Sequence, residues 1–247
     1  MNLANNTILL TGGATGIGLA LAERLQAAGS QVIAVGRRAN KLQQARQRVP
    51  GLLTYPADLA QPAARIALAE WVRREHPQLN VLLNNAGISN QVAIPDLGAS
   101  PEAWEQARQE IAINLEAPIH LAALLLPHLQ GKPGATVLNV SSALAFAPLA
   151  VAPIYCATKA ALHSFTLSLR HQAARLGVAV IEIVPPQVQT DLGGPGVYTG
   201  GEPADAFADG VLARLAAGEV EIGYSYSEAM RQASREQLDD YFKQMNG

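Results

Sequence analysis

Tyr155 and Lys159 stand four apart in the run Tyr155-Cys156-Ala157-Thr158-Lys159, which opens an apolar segment reaching about Gly177. On a helix that spacing puts the phenol and the ammonium on one face. A free phenol titrates at about pH 10, and an ammonium fixed within roughly 4–6 Å favours the phenolate, which would make Tyr155 a tuned acid. The spacing alone decides little, because Tyr and Lys four apart also make ordinary solvated helix faces. The single cysteine, Cys156, has no histidine beside it in sequence and reads as a small buried side chain rather than a nucleophile. His76, His120, His128, His163 and His171 show no ligand spacing, so no metal site is expected.

A second set of residues suits a phosphate. In Thr11-Gly12-Gly13-Ala14-Thr15-Gly16-Ile17-Gly18, the glycines at 12, 16 and 18 allow a pyrophosphate to approach the backbone closely. The helix that follows would offer free N–H groups and a partial positive charge. About twenty residues on, where a ribose-reading residue is expected, stand Arg37 and Arg38, with no Asp or Glu between Glu23 and Asp58. An acid there would favour the free 2′-hydroxyl of NAD, whereas paired guanidinium groups suit the 2′-phosphate of NADP(H).

These groups need a frame that brings distant segments to one edge. Apolar runs at 7–10, 31–35, 52–55, 81–83, 136–140, 178–184 and about 220–223 read as strands. Helical patterns alternate with them, at about 62–75, 101–129 with an interruption at Pro118, 155–177 and about 227–245. The alternation predicts an α/β fold: one doubly wound parallel sheet of about seven strands, helices on both faces, and a single Rossmann-type domain over residues 1–247. Ser141-Ser142 and Asn84-Asn85-Ala86-Gly87 then close two strands at the carboxyl edge, where such sheets carry ligands.

Taken together, the glycine turn, Asn84-Asn85-Ala86-Gly87, Asn114, Ser142 and Tyr155-x-x-x-Lys159 resemble the short-chain dehydrogenase/reductase family over nearly the whole chain. The run Ala152 to Ala160, with Gly193-Gly194-Pro195-Gly196 and Ser234-Arg235-Glu236, further resembles its bacterial DltE-labelled subgroup. The resemblance implies a catalytic set of Asn114, Ser142, Tyr155 and Lys159. Ser142 would hydrogen-bond the substrate oxygen, Tyr155 act as acid or base, Lys159 bind the nicotinamide ribose, and Asn114 hold a relay water. For the cofactor it implies Gly12, Thr15, Gly16, Ile17, Gly18, Arg37, Arg38, Asp58, Leu59, Asn85, Ala86, Gly87, Pro185, Val188 and Thr190 besides Tyr155 and Lys159. The expected activity is NADP(H)-dependent reduction of a ketone or aldehyde, or oxidation of the alcohol. An epimerase or dehydratase using the same cofactor, or a non-catalytic NADP-binding protein, are the alternatives.

Departures from the family pattern are Pro185-Pro186 in place of Pro-Gly and an altered end after 220–223. Residues 191–202, rich in glycine, read as a substrate lid. The apolar stripe at 227–245, with Met230, Leu238, Tyr241, Phe242 and Met245, must pack on its own domain or over a pocket. Leu144, Phe146, Pro148, Val188, Leu192 and Tyr198 are the expected pocket wall. At 49% hydrophobic, 15% charged and net charge -2, the chain suits a soluble cytoplasmic enzyme with a small-molecule substrate and no nucleic-acid or membrane partner. No apolar run approaches a membrane span. A homo-oligomer is expected, with Leu124, Leu125, Leu162, Phe165 and Leu169 as apolar outer positions.

Overall fold

The computed structural model describes residues 1–247 except Pro195, Val197 and Tyr198. Pro195 of the glycine-rich run and Tyr198 of the expected pocket wall therefore lie outside the described residues. In chain order the elements are β1 (Thr7–Thr11), α1 (Gly16–Ala27), β2 (Gln31–Gly36), α2 (Ala39–Arg48), β3 (Leu53–Pro56), α3 (Pro62–Glu75) and β4 (Val81–Asn84). There follow α4 (Ile94–Leu97), α5 (Pro101–Ile111), a π-helical turn (Ala112–Glu116), α6 (Ala117–Leu129) and β5 (Thr136–Val140). A 3₁₀ turn (Ala143–Ala145) then leads into α7 (Pro153–Ala174), β6 (Ala179–Val184), α8 (Ala204–Ala216), β7 (Glu221–Gly223), α9 (Tyr226–Gln232) and α10 (Arg235–Asn246).

Among the described residues the strands form one parallel sheet in the order β3-β2-β1-β4-β5-β6-β7. The order reverses between β1 and β4, which opens a crevice at their carboxyl ends. The strands read as continuous apolar runs because helices cover both faces. Ile8, Leu10, Val81, Leu83, Leu138 and Ile183 face one core, under α1, α2 and α8. Leu9, Ile33, Leu82, Val137 and Val180 face the other, under α3, α6 and α7.

Several expectations change. The break in 101–129 is the π-helical turn at Ala112–Glu116, which lies just before Pro118, where the proline removes an N–H from the continuing ladder. Contrary to expectation, Pro101–Leu129 forms a helical run long and apolar enough, by length and composition, to match a membrane span. Its Leu121, Leu125 and Leu129 are spent in the second core. Leu125, Leu162 and Leu169 are buried in their own chain, with Leu124 and Phe165 partly buried, so these are not the outer positions expected. The single helix expected at 227–245 is two, because Ser234 starts α10 with a capping box: its hydroxyl accepts from Gln237 N and its own N–H donates to the Gln237 side chain. Met230, Leu238, Tyr241 and Met245 pack on Phe146, Ala143 and Ala147, just beyond Ser142, while Phe242 is exposed. α8 was not anticipated.

Candidate active site

The glycine turn is locked against the end of β4. Thr11 Oγ1 accepts from Asn85 N and Ala86 N, both at 3.0 Å, and Asn85 Nδ2 donates to the Thr11 and Gly12 carbonyls at 3.1 and 3.3 Å. A Cβ on Gly12 would stand 2.9 Å from Ala86 Cα, and one on Gly18 would run into the Gly12 carbonyl. Gly12 and Gly16 have φ of 68° and 54°, conformations that glycine adopts freely. Thr15 makes no side-chain cap and the first turn of α1 carries no acid, which leaves that helix N-terminus suited to an anion. Thr190 closes the cradle from the opposite side, its methyl 3.0 Å from where a Gly16 Cβ would lie.

Arg37 and Arg38 follow β2 at the same edge, exposed and in no ion pair among the described residues. The cradle thus fits a dinucleotide with an extra phosphate. Of the other expected cofactor contacts, Leu59 and Val188 have side chains in the two cores and offer backbone, while Ile17 is half-buried and packs partly against the first core. Asp58 is half-buried and accepts from Ala60 N at 3.1 Å in a tight turn. Pro185 is buried, and its carbonyl accepts from Ala143 N at 2.9 Å.

The catalytic candidates converge beside this cradle. Ser142, at the end of β5, accepts from Leu144 N at 3.1 Å, which occupies its oxygen and leaves its O–H able to donate. Tyr155 is 8% exposed. Lys159 is 3% exposed, with Nζ 5.6 Å from the Tyr155 ring centroid and 2.8 Å from the Val140 carbonyl. Burial lowers the Lys159 ammonium to about 8, and the Glu110 and Glu182 carboxylates oppose that shift. The Asn114 side chain, in the π-helical turn, accepts from Ile88 N at 2.9 Å and donates to Ile88 O at 2.8 Å and Thr158 Oγ1 at 3.2 Å. That amide holds the segment after Gly87, with both its N–H groups and one lone pair of Oδ1 engaged.

Behind these residues lies a polar row that the sequence reading missed. Asn84, Asn139, Glu182 and Glu221 occupy one register across β4 to β7. Asn84 Nδ2 donates to Asn139 Oδ1, and Asn139 Nδ2 to Thr166 Oγ1 on α7, both at 2.9 Å. Fully buried Glu182 pairs with His163 of α7 at 2.8 Å, and this raises the imidazole above its ordinary value. Buried Arg65 was also missed: it donates to Leu59 O at 2.7 Å and Ala60 O at 3.0 Å and meets Glu116 at 3.2 Å, tying the turn after β3 to the π-helical turn. Nothing in the sequence marked Arg65, nor buried Glu110, one helical turn before Asn114.

Of the expected wall, Leu144 and Leu192 do pack with Leu149 against Ala152, Tyr155 and Cys156. Phe146 instead stacks on His163 at 4.8 Å, and Pro148 is exposed. Cys156 is buried, and its thiol is pushed up by desolvation, which fits an inert packing residue. Residues 191–202 are rooted at both ends: Gln189 N donates to Glu202 O and Glu202 N to Gln187 O, each at 2.9 Å.

The short chain dehydrogenase family pattern matches residues 6–196. The chain is 44% identical over 251 residues to the oxidoreductase DltE of Bacillus subtilis (strain 168), covering 100% of this chain and 98% of that protein. It is 27% identical to a fatty acyl-CoA reductase of Acinetobacter baylyi, over 78% of this chain and 66% of the other. Among solved structures, a short chain dehydrogenase from Burkholderia cenocepacia in complex with NADP superposes with a TM-score of 0.83 at 25% identity, covering 98% of this chain and 99% of that one. A short-chain dehydrogenase from Sphingobium yanoikuyae in complex with NADPH shares the fold, with a TM-score of 0.81 at 24% identity, covering 98% and 95%.

Proposed function

The chain belongs to the short chain dehydrogenase family, an oxidoreductase family, and from that premise we propose that it is an NADP(H)-dependent carbonyl reductase, or alcohol dehydrogenase in reverse, with Tyr155 as acid or base. The observation that carries this reading is the buried Lys159 ammonium, 5.6 Å from the Tyr155 ring centroid and hydrogen-bonded to the Val140 carbonyl at the end of β5, two residues before Ser142. When bound, the nicotinamide would supply the hydride. Charge then grows on the carbonyl oxygen, where the Ser142 hydroxyl donates a hydrogen bond and the Tyr155 phenol delivers the proton. Lys159 stabilises the phenolate that remains, and Asn114 fixes the segment Gly87–Ile88 beside it. Leu144, Leu149 and Leu192 give the substrate an apolar wall and help exclude water.

Arg37 and Arg38, without an acidic neighbour, favour the 2′-phosphate over a bare ribose, and the NADP carried by the Burkholderia relative agrees with that preference. Segment 191–202, rooted at 187–189, serves as a lid over the substrate. The lone buried thiol suits a reducing cytoplasm. Exposed Trp104 on α5 and Leu167 on α7 support a homo-oligomer, which light scattering at micromolar concentration tests; a monomer mass removes it. The enzymatic reading is tested by following reduced nicotinamide against a panel of ketones and aldehydes. NADPH should be consumed in preference to NADH; no consumption with any carbonyl contradicts the proposal.

A further inference from the structure

Helix α5 carries a carboxyl into the interior that the reaction above does not use. Glu110 is fully buried, 0% exposed, one helical turn before Asn114. Its Oε2 accepts from Asn90 Nδ2 at 2.9 Å and Asn90 N at 3.3 Å, while Oε1 has no hydrogen-bond partner among the described residues. Asn114 grips Ile88 in the same way, so two side chains of one helical face hold the segment Ile88–Asn90 that leaves Gly87. A Cβ on Gly87 would lie 3.4 Å from Asn114 Oδ1 and 3.7 Å from Lys159 Nζ, which places the ammonium against the same segment. Among the described residues Lys159 makes no ion pair, and its hydrogen bond goes to a neutral carbonyl.

An amide at position 110 could accept from Asn90 equally well without the cost of burying an ionisable group. What the carboxyl adds is charge, acting through a medium of low dielectric where charge acts strongly. We propose that Glu110 is the buried counter-charge of Lys159, a positioning residue that works through the lysine and does not touch substrate. The inference rests on the acid–base roles given above to Tyr155 and Lys159.

The groups facing this pair are few. Towards Glu110, α7 presents Lys159 and Cys156, and the loop presents Asn90. Towards Lys159, α7 itself presents the Tyr155 ring at 5.6 Å, and β6 presents Glu182, already paired with His163. Burial raises Glu110 to about 7 and lowers Lys159 to about 8, and each charged form favours the other. Ionisation of Glu110 therefore favours the protonated form of Lys159.

The test needs no turnover. Of the four lysines only Lys159 is buried, so ¹³Cε NMR of the unliganded full chain reads it against Lys41, Lys132 and Lys243. In the parent its titration should show a second inflection where Glu110 ionises, which needs no variant. In Glu110→Gln its midpoint should fall by about half a pH unit or more, within the range that surroundings impose on side chains, with the other lysines unmoved. Glu110→Asp, which keeps the charge, should stay near the parent. A one-step parent curve, or an unchanged midpoint in Glu110→Gln, overturns the inference. If the midpoint moves but no carbonyl is reduced, the proposed function falls alone; if reduction stands and the midpoint does not move, this inference falls alone.

Discussion

The two ends of the sheet are built on different terms. In β1 and β2 every buried position facing the helices is apolar apart from Thr7 and Thr11, and the proposed cofactor cradle is mostly backbone, glycines at the turn and the open N-terminus of α1, with exposed Arg37 and Arg38 at its edge. In β4 to β7 the sheet buries Asn84, Asn139 and Glu182 in one row under α7, and the functional groups are side chains. Buried polar groups cost free energy unless they are paired, so the second region holds its members in place through mutual hydrogen bonds. On the proposed function, the first region would bind without chemistry, while the second would fix rates and pH dependence. Substitutions should separate accordingly.

The largest expected effect lies in the second region. Tyr155→Phe should lower carbonyl reduction by about 10²–10⁴ while NADPH affinity, by fluorescence titration, stays within a few-fold. A comparable loss of affinity would mean that the two regions are not separable. In the first region, Arg37→Ala should lower kcat/KM for NADPH by about one to two decades and leave NADH nearly unchanged, because charge-assisted hydrogen bonds to phosphate are worth roughly 1.5–3 kcal/mol. The parent's preference should shrink with added salt. Equal use of both cofactors by the parent would contradict the Arg37 assignment.

The smallest effect concerns His163 and Glu182. Because the folded imidazole is raised above its ordinary value, the pair's stabilisation is fully present below about pH 6.5 and lost as pH rises through the raised value. His163→Gln should lower the melting temperature by about 2–4 °C at pH 6, equivalent to about 1 kcal/mol, and by less at pH 9. An equal loss at both values would show a packing role, through Phe146, rather than an ionic one.

Most strands were legible because a parallel sheet covered on both faces writes itself as apolar runs, and β5 falls at 136–140 as read. The candidate catalytic residues came from a resemblance carried by motif spacing on defined elements. Orientation was not: Leu59 and Val188 occupy cofactor-motif positions yet turn into the cores, since a motif fixes where the backbone goes and not which way a side chain points. α6 is apolar nearly all round, so its sheet-facing and outward leucines could not be told apart before packing chose. α8 carries Gly210 in its interior because the Tyr224 ring lies where a Cβ would stand, a tertiary reason invisible in the local sequence. Glu110 reads as one more charge in a polar helix, and only burial gives it meaning.

The central claim, hydride transfer to a carbonyl with Tyr155 supplying the proton, is tested most directly with NADPH deuterated at the transferable position. The parent should place deuterium on the carbinol carbon of the product alcohol, seen by mass spectrometry and NMR, and Tyr155→Phe with cofactor bound should place almost none in the same time. Cofactor oxidised without label in the alcohol, or labelling undiminished in Tyr155→Phe, would contradict the account.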